Sequence, residues 1–217
     1  MKQHWIVRAG ICLPAILIIA AAVPRLVSGI ALERVFPASA YIATNQALPQ
    51  TVYAATEATL ARAPAADGET HILRAEAAAG AGQPDAMVTS LVESALTRAP
   101  GDARGWILLA SLLSDKSPRV AAAALSLAFE FAPRDYYLVV PRTLVGAALW
   151  NYLPSDVRGT LLHDTYTMTI DANRHEDLRA LLMRRGGVEL VTRSLNGNPD
   201  AIKKLNRSFA AELLHPQ

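Results

Sequence analysis

Cysteine is almost missing from this 217-residue chain, and the single Cys12 excludes both a disulfide framework and a cysteine-ligated zinc site. Charge is scarce too. Charged residues make up 18% against 52% hydrophobic ones, which excludes a chain dominated by disorder. The net charge of +2 is too small to point to nucleic acid. Aromatic residues contribute only 6%. Beyond the amino-terminal region no segment shows sustained apolar–polar alternation, so no strand is expected. Alanine fills the space these absences leave. Runs such as Ala77-Ala78-Ala79 and Ala121-Ala122-Ala123-Ala124 favour helix and disfavour strand. An all-α fold follows, in a chain long enough to bury a core.

The amino terminus stands apart. Lys2 and Arg8 precede an uncharged stretch from Ala9 to Pro24 rich in isoleucine and leucine. Counted from Trp5, about 19 residues carry Arg8 as their one charge, close to the ~20 that cross a bilayer. Three readings compete: an uncleaved transmembrane anchor, a secretory signal, and a buried soluble helix. Ala20-Ala21-Ala22 and Ala38-Ser39-Ala40 both offer a small-residue cleavage pattern. The first is followed by Pro24, and the second lies far beyond the apolar run. The anchor is therefore the favoured expectation.

Flanking charge sets the expected orientation. Lys2, Arg8 and the amino group precede the span, whereas Arg25 and Arg34 follow it, offset by Glu33. This bias puts the amino terminus in the cytoplasm and the remainder across the membrane, which in a bacterium is the periplasm. Residues 1–40 hold four basic residues and one acidic one, leaving 17 basic and 18 acidic residues in the rest. The basicity belongs to the membrane end. The expected organisation is thus an anchor and juxtamembrane segment over 1–40 and a helical domain over 41–217.

Within that domain three segments align: Leu60-Ala61-Arg62-Ala63-Pro64, Leu96-Thr97-Arg98-Ala99-Pro100 and Phe129-Glu130-Phe131-Ala132-Pro133. Each closes an alanine-rich helical run, because proline disfavours helical geometry in the residue before it. Asp67, Asp102 or Asp135 follows and is placed to cap the next helix. Between Pro100 and Pro133, one helix carries Trp106, Leu109, Ala110 and Leu113. After a turn at Ser114–Ser117, Pro118 opens a second with Ala121, Leu125, Ala128 and Phe129. In the unit before, Ile72, Ala75 and Ala79 face Val88, Val92 and Ala95 across a Gly80–Pro84 turn. Residues 41–63 read as a helix packed on that unit.

Trp106, Leu109, Ala121, Ala128 and Pro133 resemble the large–small pattern of a tetratricopeptide repeat, with Ala110 where glycine is commonest and a turn one residue short. The resemblance is clearest over 65–133 and implies a solenoid or bundle of helical hairpins with a partner-binding groove. Arg74, Arg104 and Ser111, on the first helix of each hairpin, are the candidate groove residues. Farther on, Asp135–Asn151 reads as a helix that Pro141 kinks or relieves of its first turn. Ser155 is placed to cap a helix carrying Val157, Leu161, Leu162, Tyr166 and Ile170. Asn173 with Glu176 resembles a capping box opening Arg174–Arg185. Gly186-Gly187 ends that helix, Val188–Leu195 is a short successor, and Asn198-Pro199 starts a last helix.

A second resemblance covers about Ala99 to Phe209. The Ala99-Pro100-Gly101-Asp102 and Ala132-Pro133-Arg134-Asp135 runs, with Pro141-Arg142 and Leu149-Trp150, look like small membrane-anchored accessory proteins of bacterial exopolysaccharide biosynthesis and export loci. That resemblance implies a single-pass inner-membrane protein with a periplasmic domain and envelope-protein partners.

Candidate chemistry is thin. His163-Asp164 and His175-Glu176-Asp177 put carboxylates beside imidazoles, but neighbouring residues on a helix point apart, and neither forms a zinc-protease His pair. They read as solvated helix-face residues, and His71 as a capping or surface residue. No nucleophile elbow or phosphate loop is present. No catalytic, metal or cofactor residue is therefore assigned, and no small-molecule substrate or nucleic acid is indicated. Arg184, Arg185, Arg193, Lys203, Lys204 and Arg207 form a basic cluster, read either as a solvated face or as a patch for an anionic partner such as lipid headgroups or an acidic glycan. The expected function is that of a non-enzymatic envelope adaptor in polysaccharide biosynthesis or export. The alternatives are a glycan-acting enzyme with a dispersed site, and an assembly factor for another envelope system.

Overall fold

The computed structural model describes residues 48–63 and 67–196, with isolated positions 20, 22, 23, 26, 29, 30, 33, 38, 200 and 203 outside those ranges. Among the described residues the chain is helical throughout, with no strand. It divides into two compact units between Pro100 and Gly101. No helix among the described residues is long and apolar enough to cross a membrane. The expected span from Ala9 to Pro24 lies almost wholly outside them, as does nearly all of the expected last helix.

The first unit holds α1 (Gln50–Leu60), α2 (Gly68–Gly80) and α3 (Asp85–Arg98), with α2 packed against both neighbours. Ile72, Ala75, Ala77 and Ala78 of α2 are buried with Val88, Val92 and Ala95 of α3. Each large aliphatic side chain contributes about 2 kcal/mol of burial. Alanine contributes less itself but lets the helix axes approach. Tyr53 of α1 lies on Gly80, where a Cβ would stand 2.4 Å from the ring. Leu60, Leu73 and Ala77 form a core cluster, with Leu48 and Tyr53 packed on it. Gln50 Nε2 donates to the Ala81 carbonyl at 2.8 Å, tying the start of α1 to the α2–α3 turn.

The second unit opens with a pair, α4 (Ala103–Leu113) against α5 (Pro118–Phe131). It continues as α6 (Val139–Leu149), α7 (Ser155–Ile170), α8 (His175–Leu182) and α9 (Gly187–Ser194). Short 3-10 turns at Tyr136–Leu138, Trp150–Tyr152 and Ala172–Arg174 join them. Helix α6 packs against α5 and α7, and α9 packs against α7, α6 and α8.

The aspartate caps form where the sequence puts them. Asp67 accepts from the Thr70 amide at 2.8 Å, Asp102 from Arg104 at 2.9 Å and Asp135 from Tyr137 at 2.9 Å. Ala99 and Ala132, each before a proline, leave the helical region at φ −131° and −139°. The expected α5 stripe of Ala121, Leu125, Ala128 and Phe129 is buried throughout, whereas on α4 Ile107 and Ala103 go inside and Trp106 stays partly exposed.

Other caps differ. Neither Ser117 nor Ser155 accepts a cap hydrogen bond on its side chain; Ser155 is already helical, after Pro154. Asp171, accepting from the Asn173 amide at 3.0 Å, takes the role expected of Asn173. The turn before α6 is 3-10, so Pro141 falls in the first α-helical turn, where no amide donor is needed. Helix α7 turns a different face inward. Val157, Leu161, Asp164, Thr165 and Met168 are buried, while Ile170 is exposed.

Two substitutions test this framework. Gly186 sits at φ +78°, and a Cβ there would lie 2.4 Å from the Ala147 carbonyl oxygen. Gly186→Ala is expected to cost at least about 2 kcal/mol, read as a lower Tm in thermal unfolding. Asp67→Ala should cost about 1 kcal/mol at neutral pH, as for a lost helix cap. The Thr70 hydroxyl and amide hold the Asp67 carboxyl below its ordinary pKa of 3.8. Its contribution is therefore present above that value and lost as pH falls through the lower folded-state value. Urea midpoints of parent and variant should converge at acid pH.

Candidate functional site

The candidate groove residues fall in both units. Arg74 on α2 donates from Nε to Glu57 Oε1 of α1 at 3.1 Å, bridging two helices of the first unit. Arg104 on α4 pairs with Asp102, the cap of its own helix, at 3.2 Å. Ser111 is exposed on α4, and its carbonyl accepts from the Ser114 hydroxyl at 2.9 Å. Both arginines thus serve local structure, whatever else they contact.

The histidines separate from their carboxylates. His163 and His175 are exposed, as expected. His71 is half-buried, and burial, with Arg98 and Arg74 adding repulsion, lowers its pKa. Asp164 corrects the expectation of a solvated residue: it is 5% exposed. Its place on α7 turns it inward while its neighbour His163 faces out. Among the described residues no cluster of three His, Cys, Asp or Glu side chains could hold a metal ion.

Asp164 faces Arg142 of α6, the largest fully buried side chain, at 0% exposure. Arg142 Nη2 lies 2.9 Å from Asp164 Oδ2. The guanidinium also donates from Nη1 to the Ala132 carbonyl at 2.5 Å and from Nη2 to the Asp135 carbonyl at 3.2 Å. It stacks over Phe129, 4.7 Å from the ring centroid. One side chain thereby closes the end of α5, grips the following turn and meets a charge on α7. Among the described residues Arg142 Nε has no hydrogen-bond partner, so the guanidinium meets Asp164 through Nη2 alone. Burial pushes the Asp164 carboxyl up and the Arg142 guanidinium down, each opposed by the other's charge. Thr143 and Thr165, also buried, turn their hydroxyls to carbonyls of their own helices.

A second network lies at the surface. Tyr136 donates its hydroxyl to Asp171 at 2.8 Å, and Arg174 stacks on its ring at 4.2 Å. Arg174 reaches the Tyr136 hydroxyl at 3.2 Å and the Asp177 carboxylate at 3.6 Å. Phe131 and Tyr137 are exposed, Tyr137 at 61%.

Within the basic cluster the described residues differ in their contacts. Arg193 is held by Glu189 at 2.6 Å and lies over Trp150, 5.3 Å from the ring. Arg158 also lies over Trp150, at 5.7 Å. Arg184, Arg185 and Lys203 are exposed, while Lys204 and Arg207 lie outside the described residues.

Sequence reasoning passed over the Arg142–Asp164 pair because the two residues lie on different helices with no shared motif. Removing one partner of a buried pair commonly costs 3–5 kcal/mol. Asp164→Leu should therefore lower unfolding stability by about 3 kcal/mol or more. Adding Arg142→Met should recover part of that loss, since no charge then stays buried, while the Ala132 and Asp135 carbonyls, each keeping a backbone donor but losing the guanidinium, keep recovery incomplete. A double variant less stable than Asp164→Leu in urea titration would show that the carbonyl bonds, not the ion pair, dominate.

Comparison with known protein families, characterised proteins and solved structures finds no match for this chain.

Proposed function

We propose that this chain is a membrane-anchored envelope adaptor whose helical hairpins bind partner proteins, in polysaccharide biosynthesis or export. The observation that carries the reading is the repeated hairpin. Helices α2–α3 and α4–α5 are each opened by an aspartate cap, turned back within a few residues and closed before a proline. Each hairpin supports a tetratricopeptide-like reading, and helical hairpins of that kind present surfaces for proteins. The amino-terminal apolar run supports an inner-membrane location with the helical domain in the periplasm. The polysaccharide assignment rests on the resemblance of residues 99–209 alone.

An enzyme would need an acid able to reach a substrate. Burial raises the Asp164 pKa as it would for such an acid, but its carboxylate faces the buried Arg142, which in turn holds the end of α5. The same residues serve folding more directly than catalysis.

The partner surface should include the exposed aromatics Phe131 and Tyr137, since exposed aromatic side chains dominate interface energies. The full chain, expressed in a bacterium and affinity-purified from detergent-solubilised membranes, should recover envelope-assembly proteins. Phe131→Ser with Tyr137→Ser should cut that recovery about tenfold or more with Tm unchanged. Recovery of no such component overturns the adaptor reading, and release of the chain by alkaline carbonate overturns the anchor.

A further inference from the structure

We infer that the turn joining α8 to α9 is a contact site for an anionic lipid surface, with Met183 and Val188 entering the interface and Arg179, Arg184 and Arg185 meeting the headgroups. This goes beyond the adaptor reading and does not depend on the amino-terminal anchor.

Met183 is 84% exposed and Val188 60%, on either side of a tight turn held by Gly186. The turn itself is well formed. Arg184 donates its amide to the Leu181 carbonyl at 2.9 Å, and Gly187 donates to Arg184 at 3.0 Å. Behind it, Leu178, Leu181, Leu190 and Val191 are buried, so the helices spend their apolar inner faces on the core and still put two large apolar side chains outside. Exposed methionine flanked by cations differs from an ordinary solvated turn, where polar residues dominate.

Arginines dominate the charges around it. Arg179, Arg184 and Arg185 are exposed, and none makes an ion pair among the described residues. The acids on either side are engaged elsewhere: Asp177 with Arg174 at 3.6 Å and Glu189 with Arg193 at 2.6 Å. Glu176 is exposed near the start of α8. Apolar tips beside arginines that make no ion pair among the described residues match the two layers of an anionic membrane interface, headgroup charge outside and hydrocarbon beneath. Arginine stems can lie along that boundary while the guanidinium stays at the phosphates. An acidic protein surface would meet the cations but offers no general reason for a protruding, flexible methionine.

The test uses the full chain with Cys12→Ser and Val188→Cys, labelled with an environment-sensitive nitrobenzoxadiazole dye. The labelled protein is combined with nanodiscs of phosphatidylcholine alone or mixed equally with phosphatidylglycerol. Retention on the phosphatidylcholine discs reports the anchor, and dye emission reports the turn, so the two can fail separately. Emission should rise about twofold or more and shift to the blue with the anionic discs only. It should return to the phosphatidylcholine level in Arg184→Glu/Arg185→Glu and fall in Met183→Ser, with unchanged circular dichroism. Equal emission in both lipids, or emission that survives the charge reversal, overturns the inference. A label already shielded before lipid is added also overturns it, because another part of the chain would then cover the turn.

Discussion

The second unit depends on one guanidinium satisfying four demands at once. Helix α5 stops before Pro133, and its final carbonyls have no following turn of helix to bond. Arg142 supplies donors to Ala132 and Asp135, lays its plane on Phe129 and brings a full charge inside. That charge requires a counter-ion, and Asp164 on α7 provides it. An apolar contact between α6 and α7 would tolerate some rotation of either helix about its axis. An ion pair does not, because turning α7 by one residue swings its side chains by about 100° and strands both charges. The pair thus fixes which face of α7 looks inward, at a cost in desolvation that an apolar pair would not carry.

What the sequence revealed and what it hid follow from the range of the forces involved. Caps and proline stops are local, and Asp67, Asp102, Asp135, Ala99 and Ala132 behave as their immediate neighbours dictate. Stripes of uniform hydrophobicity were also legible, as on α5 and α3. Helix α7 was misjudged because its inward stripe includes Asp164 and Thr165, so apolar spacing pointed to Tyr166 and Ile170 instead. The same long-range cause hid the candidate site. Nothing near Arg142 in sequence announces an acid more than twenty residues away.

Alanine settles how side-chain volume is distributed. Small residues at the α2–α3 and α4–α5 contacts bring the paired helices close, and Gly146 repeats the device on α6, where a Cβ would stand 2.6 Å from Leu161. Interiors built from small residues have little room for rings. Most aromatic residues accordingly go to edges: Tyr136, Tyr137 and Tyr152 are exposed and Trp106 and Trp150 partly so, whereas Phe129 is buried under Arg142. Scarcity of aromatics and their surface location are two consequences of one packing choice.

Arginine is sorted by the company those rings offer. Arg142 over Phe129, Arg174 over Tyr136, and Arg158 and Arg193 over Trp150 each combine a ring with a carbonyl or carboxylate. A guanidinium so placed loses water on its faces yet keeps hydrogen bonds at its rim, which suits it to hold helices together. Among the described residues Arg179, Arg184 and Arg185 have neither ring nor acid, and all three are exposed. In sequence the basic cluster reads as one feature, because rings brought near by folding lie far along the chain. Its described members differ: Arg193 pairs with Glu189 and lies over Trp150, while Arg184 and Arg185 are exposed at the α8–α9 turn.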